Sequence, residues 1–188
     1  MIALKMNALK TLFNIIVICT VLTGCGQSGA QTKSEAEAPK MELMAAVMAG
    51  DLAIVKQHIE AGSDLNVKEA FSGSTPLSSA ATFGKTEVAK ALIDAGAKLS
   101  IKNNDGATAL HAAAFFGRIE IVQMLIDAKA DQTVRNNFGA TARESVMGSF
   151  ADVKPIYDLM QQQLGPLGLK LDMEELEKSR PVIAMMLQ

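Results

Sequence analysis

A 33-residue segment occurs twice in tandem, and this internal repeat limits the possible fold more than any other feature of the sequence. Residues 75–107 read TPLSSAATFGKTEVAKALIDAGAKLSIKNNDGA, and residues 108–140 read TALHAAAFFGRIEIVQMLIDAKADQTVRNNFGA. Residues such as Gly84 and Leu92 recur as Gly117 and Leu125. A fixed period near 33 residues is typical of stacked architectures, in which each unit buries its apolar face against its neighbours.

Each unit carries start and stop signals for two helices. Thr75 and Thr108 can cap the first helix by accepting a backbone N–H, and Gly84 and Gly117 can end it in the left-handed conformation. The second helix has an apolar stripe at helical spacing, formed by Val88, Ala89, Leu92 and Ile93 in one unit and by Ile121, Val122, Leu125 and Ile126 in the next. The Asn- and Gly-containing segment that follows favours a tight turn between extended arms.

These units resemble the ankyrin repeat. TPLS and TALH stand where that family has its Thr-Pro-Leu-His box, and GKTEVAKALIDAGA and GRIEIVQMLIDAKA are similar to its second helix. The departures are Ser78 for the His of the box, Ala109 for its Pro, and Lys129 for a helix-ending Gly. The resemblance implies an all-α solenoid of helix–turn–helix–hairpin units.

Two degenerate units flank the clear pair, so we predict about four repeats, including caps, over residues 41–165. Residues 41–74 lack the Thr-Pro box, as expected of a terminal repeat with one face in water. Residues 141–165 follow the pattern if one residue is inserted in the first helix, which aligns Leu159 with Leu125. The predicted units are residues 41–74, 75–107, 108–140 and 141–165. Residues 166–188 are predicted to form a C-terminal helical cap, with a partner-binding tail as the alternative.

Residues 1–24 are typical of a bacterial lipoprotein signal peptide. Lys5 and Lys10 precede an apolar run over residues 12–22, which is short for a membrane span and suits a signal-peptide core. Residues 22–25 read LTGC and resemble the lipoprotein box, in which cleavage precedes acylation of the Cys. We therefore predict a lipid on Cys25, with an ordinary secreted protein or an uncleaved anchor as alternatives. Residues 25–40 are small and polar, as in a flexible tether.

This leader predicts a membrane-anchored lipoprotein that faces the periplasm. Gly26 stands where Asp retains many enterobacterial lipoproteins on the inner membrane, which favours the outer membrane if the source has one. Stable anchoring needs more than one acyl chain. With Cys19 removed and Cys25 acylated, no cysteine would remain for a disulfide or a metal site.

The sequence shows no catalytic motif, so we expect a binding protein rather than an enzyme, with no cofactor and no metal. His111 occupies the His position of the family's box, where it is expected to join neighbouring repeats by hydrogen bonds, and His58 is expected to pack in the capping unit. Neither has a Cys or a second His at metal-ligand spacing. The formal net charge of −2 gives no indication of nucleic-acid binding.

Six phenylalanines outside the leader are the candidate partner-binding residues. Two fall in hairpin segments and four at the ends of first helices: Phe71 and Phe138, then Phe83, Phe115, Phe116 and Phe150. In the ankyrin family these places line the concave face, where targets bind. We predict that Phe83, Phe116 and Phe150 form a row on that face. The alternative is that the rings pack within the repeats.

Together these features predict a monomeric, membrane-anchored interaction module that binds an unidentified protein on its concave or hairpin face. By analogy with exported bacterial ankyrin proteins, it would act as an accessory or immunity protein that protects or inhibits an envelope enzyme. An enzyme or small-ligand binder that uses the groove is the competing class. A structural spacer without a partner is the third.

Overall fold

The computed structural model describes residues 39–188, and within them the regular secondary structure is helical. A short 3-10 helix spans Gly165–Leu167. The α-helices are α1 (Leu43–Ala49), α2 (Leu52–Glu60), α3 (Pro76–Phe83), α4 (Thr86–Asp94), α5 (Ala109–Phe115), α6 (Ile119–Asp127), α7 (Glu144–Met147), α8 (Phe150–Leu164) and α9 (Met173–Met186).

The helices pack in two parallel series that follow the repeat. The first helices of the units contact one another in the order α1, α3, α5, α7, and the second helices in the order α2, α4, α6. Within each of the first three units the two helices also contact each other. The predicted all-α repeat fold is therefore confirmed.

The predicted helix boundaries follow from local chemistry. The Thr75 hydroxyl oxygen accepts a hydrogen bond from the Ser78 N–H at 3.2 Å, and Gly84 ends α3 with φ of 64°. Lys129 stands where a glycine ends the equivalent segment, and it too has a positive φ, 65°. That conformation costs a residue with a side chain on the order of 1 kcal/mol, so the packing of the third unit must hold it there.

Successive hairpins are joined by hydrogen bonds that recur with the repeat. The Asn104 backbone N–H donates to Ser72 O, and its side-chain amide donates to Phe71 O, both at 2.9 Å. Asn137 makes the equivalent two bonds to the hairpin before its own, at Asp105 O and Asn104 O, also at 2.9 Å. A side chain at Gly106 would collide with the Asn137 carboxamide, so glycine is needed there for the close approach as well as for its positive φ.

The apolar stripe predicted for the second helices forms the core. Val88, Leu92, Val122 and Leu125 are fully buried or nearly so, and the small side chains Ala80, Ala81, Ala113 and Ala114 are buried on the first helices. The small alanine side chains let neighbouring first helices approach closely. The larger branched side chains of the second helices fill the remaining space between units.

The C-terminal helix lies where the second helix of the fourth unit was predicted. α9 contacts α6 and α7, and a side chain at Gly117 would collide with Leu176 and Ser179 of α9. A side chain at Gly84 would likewise collide with Arg118, which immediately precedes α6. α9 thus covers α6 much as α6 covers α4.

The predicted alignment of Leu159 with Leu125 is wrong, because Leu159 is 52% exposed and Leu125 is 0% exposed. α9 buries Leu176 and Ile183, and Leu187 directly after it is buried too, whereas α8 buries only Tyr157. The charged and amide residues of α8 cannot cover an apolar surface as well as α9 does. The domain boundaries proposed from the sequence stay predictions.

Replacing Leu125 with Ala tests the core. Because the side chain is fully buried, Leu125→Ala should lower the free energy of unfolding by about 2–5 kcal/mol. The same change at exposed Leu159 is the matched control and should cost less than about 0.5 kcal/mol. Urea unfolding of both variants measures the difference, and equal midpoints for the two would contradict the packing described here.

Candidate functional site

The hairpin phenylalanines are the most exposed large apolar side chains in the described part of the chain. Phe71 is 92% exposed and Phe138 is 82% exposed. Each lies at a hairpin tip whose backbone N–H groups are hydrogen-bonded by a side chain of the same turn. The Asn136 side-chain oxygen accepts from the N–H groups of Phe138 and Ala140, both at 3.0 Å. The turn is therefore ordered, although most of the ring at its tip is exposed to water.

In the first hairpin, which is one residue longer, Glu69 takes the place of Asn136 and accepts hydrogen bonds from backbone N–H groups of the turn. Its carboxylate accepts from the Phe71 N–H at 2.6 Å and from the Ser72 N–H at 2.7 Å. These hydrogen bonds, led by the one from Ser72, hold the pKa of Glu69 below its usual value. Glu has one more methylene than Asn, so its carboxylate can reach across the longer turn.

A basic residue stands at the same place in each of the three hairpins, and the sequence analysis missed this row. Lys68, Lys102 and Arg135 are all exposed. The Lys102 ammonium donates to Arg135 O at 3.0 Å, and Arg135 pairs with Glu144 at 2.6 Å. The signal was present in the repeat alignment, where each of these residues directly precedes the equivalent turn residue, Glu69, Asn103 or Asn136. We call these three residues with Phe71 and Phe138 the hairpin surface.

The phenylalanines at the helix ends do not form the predicted row. Phe83 is partly buried at the end of α3, and Phe116, directly after α5, is only 7% exposed. Phe150 is placed at the start of α8 and not at the end of a first helix. The predicted position of Phe150 is thus wrong, since the chain turns at Gly148 and Ser149 before the ring. Whether these residues bind a partner stays a prediction.

Two of the rings join a cluster around Tyr157. The Phe115 and Tyr157 ring centroids are 4.6 Å apart, and those of Phe150 and Tyr157 are 5.9 Å apart. The Tyr157 hydroxyl donates to Phe115 O at 2.7 Å and accepts from Arg180 at 2.8 Å. Burial raises the pKa of this phenol. The cluster ties α8 to α5 and α9, which the sequence could not show because its members lie far apart along the chain.

Arg118 makes a second link between the repeats and the C-terminal segment. Its guanidinium donates to Thr82 O at 3.4 Å and to Lys170 O at 3.2 Å, while its Nε is buried without a hydrogen-bond partner. Burial lowers the pKa of this guanidinium. Both acceptors are backbone carbonyls, so the arrangement joins chain segments and offers no reactive group.

The two histidines form hydrogen bonds within the protein. His111 Nδ1 lies 3.0 Å from the Thr108 hydroxyl and Nε2 lies 3.2 Å from Ala140 O. The ring therefore joins the start of α5 to the last residue of its own unit, whereas the predicted hydrogen bond to a neighbouring repeat is not among these contacts. Burial is the main cause of its lowered pKa, which favours the neutral ring. His58 Nε2 lies 2.7 Å from Met41 O. Within residues 39–188, no three His, Cys, Asp or Glu residues are grouped closely enough to hold a metal ion.

The predicted leader, with Cys25 and nearly all of the tether, lies outside the described residues. The lipid anchor and the membrane location therefore stay predictions. Among the described helices, none has the length and apolar character needed to cross a bilayer.

Comparison with known proteins identifies the repeats. The family described as Ankyrin repeats (3 copies) matches residues 43–136, which is half of the chain. The crystal structure of the ankyrin repeat domain of Bcl-3, from the IkappaB protein family, is similar with a TM-score of 0.53 and 26% identity. The match covers 55% of this chain and 45% of that one, so this chain spans less than half of it. No curated protein sequence matches. The chain belongs to the ankyrin repeat family, whose repeats are in general protein-interaction modules.

Proposed function

We propose that this ankyrin domain binds another protein through its hairpin surface while a lipid on Cys25 holds it on the extracytoplasmic side of a membrane. The exposure of Phe71 and Phe138 carries the first part of the proposal. Aromatic side chains commonly dominate binding energy once a partner covers them, and here they are presented to water.

The hairpin hydrogen bonds support this proposal because they fix the backbone that carries the rings before binding. The Phe71 carbonyl accepts a hydrogen bond from the Asn104 side chain, and the Asn104 carbonyl accepts one from the Asn137 side chain. Asn137 directly precedes Phe138. A partner that covers both rings would therefore order little additional backbone, which favours affinity. Lys68 and Lys102 give this surface positive charge, while the charge of Arg135 is paired with Glu144. We expect the partner to offer apolar pockets beside acidic residues, since complementary charge speeds and orients association.

What binding achieves follows from where the protein resides. On an envelope membrane, covering the surface of an enzyme would protect or inhibit it, as an accessory or immunity protein does. No arrangement of side chains in the described residues favours catalysis at the hairpin surface, so an enzymatic role is not proposed.

Removing both exposed rings tests the hairpin surface. Phe71→Ala with Phe138→Ala should leave the melting temperature nearly unchanged, because neither ring is packed. Partner capture by cross-linking in envelope extracts should fall by roughly 30-fold or more, the equivalent of ~1 kcal/mol or more for each of the two anchor residues. Leu159→Ala, an exposed apolar residue on another surface, is the control. Capture that survives the double change, or that falls equally in the control, would count against the proposal.

Phe116 separates packing from binding. Its ring is 7% exposed, so Phe116→Ala should destabilise the domain by about 3–5 kcal/mol, as buried aromatic truncations do. Thermal unfolding followed by circular dichroism measures this effect. If the Phe116→Ala protein melts normally yet captures its partner poorly, Phe116 binds the partner and does not serve packing.

Cys25 carries the membrane proposal. Cys25→Ser should abolish incorporation of labelled fatty acid and move the protein out of the membrane fraction, because the thiol that accepts the lipid is gone. Fractionation and labelling of cells expressing either form provide the measurement. Continued labelling of the Cys25→Ser protein would show that the lipoprotein assignment is wrong.

A further inference from the structure

Arg180 is the one buried side chain with a full charge among residues 39–188, and only 2% of its surface is exposed. Its guanidinium donates to the Tyr157 hydroxyl at 2.8 Å and to Gly148 O at 3.1 Å. Both acceptors are neutral, and a guanidinium has five N–H donors. Its hydrogen bonds within the protein therefore leave the positive charge without a counter-ion.

The ion pairs found within the described residues are all elsewhere and exposed: Lys90 with Asp94, Arg135 with Glu144, Lys154 with Asp158, and Lys178 with Glu174. None brings a carboxylate within 4.0 Å of Arg180. A buried charge is costly unless it is paired, because it loses its hydration. An anion beside this arginine would therefore offset part of that cost.

Arg180 lines a cleft of about 380 Å³ between α7, the start of α8 and α9. This volume is within the range of small-molecule sites. Apart from Arg180 and Glu177, the lining is apolar or backbone, and comprises Val146, Met147, Gly148, Phe150, Pro181 and Ala184. Pro181 has no N–H, so the Glu177 carbonyl one turn earlier lacks its helical donor. The cleft thus combines a buried cation with apolar walls.

We propose that this cleft binds a carboxylate attached to a small apolar group, with Arg180 as its counter-ion. A guanidinium matches the two oxygens of a carboxylate, and the ring of Phe150 and the side chain of Val146 would cover the apolar part. Such a group occurs at the C-terminus of a peptide and in a short aliphatic acid. The cleft is separate from the hairpin surface, so the two proposals stand or fall independently.

Glu177 provides a second test, because its effect on the affinity for an anionic ligand should be opposite to that of Arg180. Its exposed carboxylate lines the same cleft and would repel an anionic ligand. Removing its charge should therefore strengthen binding, while removing the charge of Arg180 should weaken it. A purely apolar cleft would respond to neither change in this way.

The test uses the full-length protein and ligand-observed NMR with three probes. N-acetylleucine represents a peptide C-terminus, hexanoate represents an aliphatic acid, and N-acetylleucinamide is the uncharged match of the first. We expect at least one acid to bind about tenfold tighter than the amide. The stronger of the two acids then identifies the source of the carboxylate.

Variants assign the effect to the cleft. Arg180→Gln should remove the preference for the acid over the amide, and Glu177→Gln should tighten acid binding about twofold to fivefold. Lys170→Gln, which removes an exposed cation outside the cleft, should change nothing. Should Arg180→Gln fail to fold, Ala184→Leu fills the cleft with the arginine intact and should abolish binding. Equal affinity for acid and amide, no binding of either acid at millimolar concentration, or acid binding unaffected by Glu177→Gln would overturn the proposal.

Discussion

The contact between successive second helices is the interaction on which the rest of the structure depends. Each second helix has an apolar stripe that its own first helix covers only in part, so it requires another helix beside it. α2, α4 and α6 meet this requirement for one another. The last of them would expose its stripe to water if nothing followed, and α9 covers it. The capping helix is therefore a consequence of the same burial that holds the repeats together.

The repeated part of the fold could be predicted from the sequence because its signals are local. A Thr that caps a helix, a Gly that ends one, and apolar residues at helical spacing act within a dozen residues, and tandem copies reinforce one another. The C-terminal part depends instead on which of two segments, α8 or α9, packs against α6, and this choice is not local in the sequence. α8 and α9 are both helical, and what selects α9 to cover α6 is the buried Leu176 and Ile183 on it, with Leu187 directly after it. A repeat alignment favours the segment that comes first, which is why it chose Leu159.

The candidate site was predictable to a similar extent. Phe71 and Phe138 lie in turns that the sequence marks clearly, and a ring at the tip of a short turn has little to pack against. The rings at the helix ends depend on what the C-terminal segment does, and there Tyr157 meets Phe115 and Phe150. Arg180 and Tyr157 are joined across 23 positions. No spacing rule links two such residues when the segment between them has no repeat.

The way in which α9 meets the third unit bears on how such a chain can change in length. α9 packs closely against Gly117 of the third unit. The equivalent glycine of the second unit, Gly84, is where the following repeat packs, through Arg118. The aromatic cluster likewise reaches the repeats through Phe115, in the third unit. A duplication of residues 108–140 would reproduce both docking positions one step further along. The terminal helices could then move outward as a block, so the number of repeats can grow in evolution or by design while the terminus keeps its sequence.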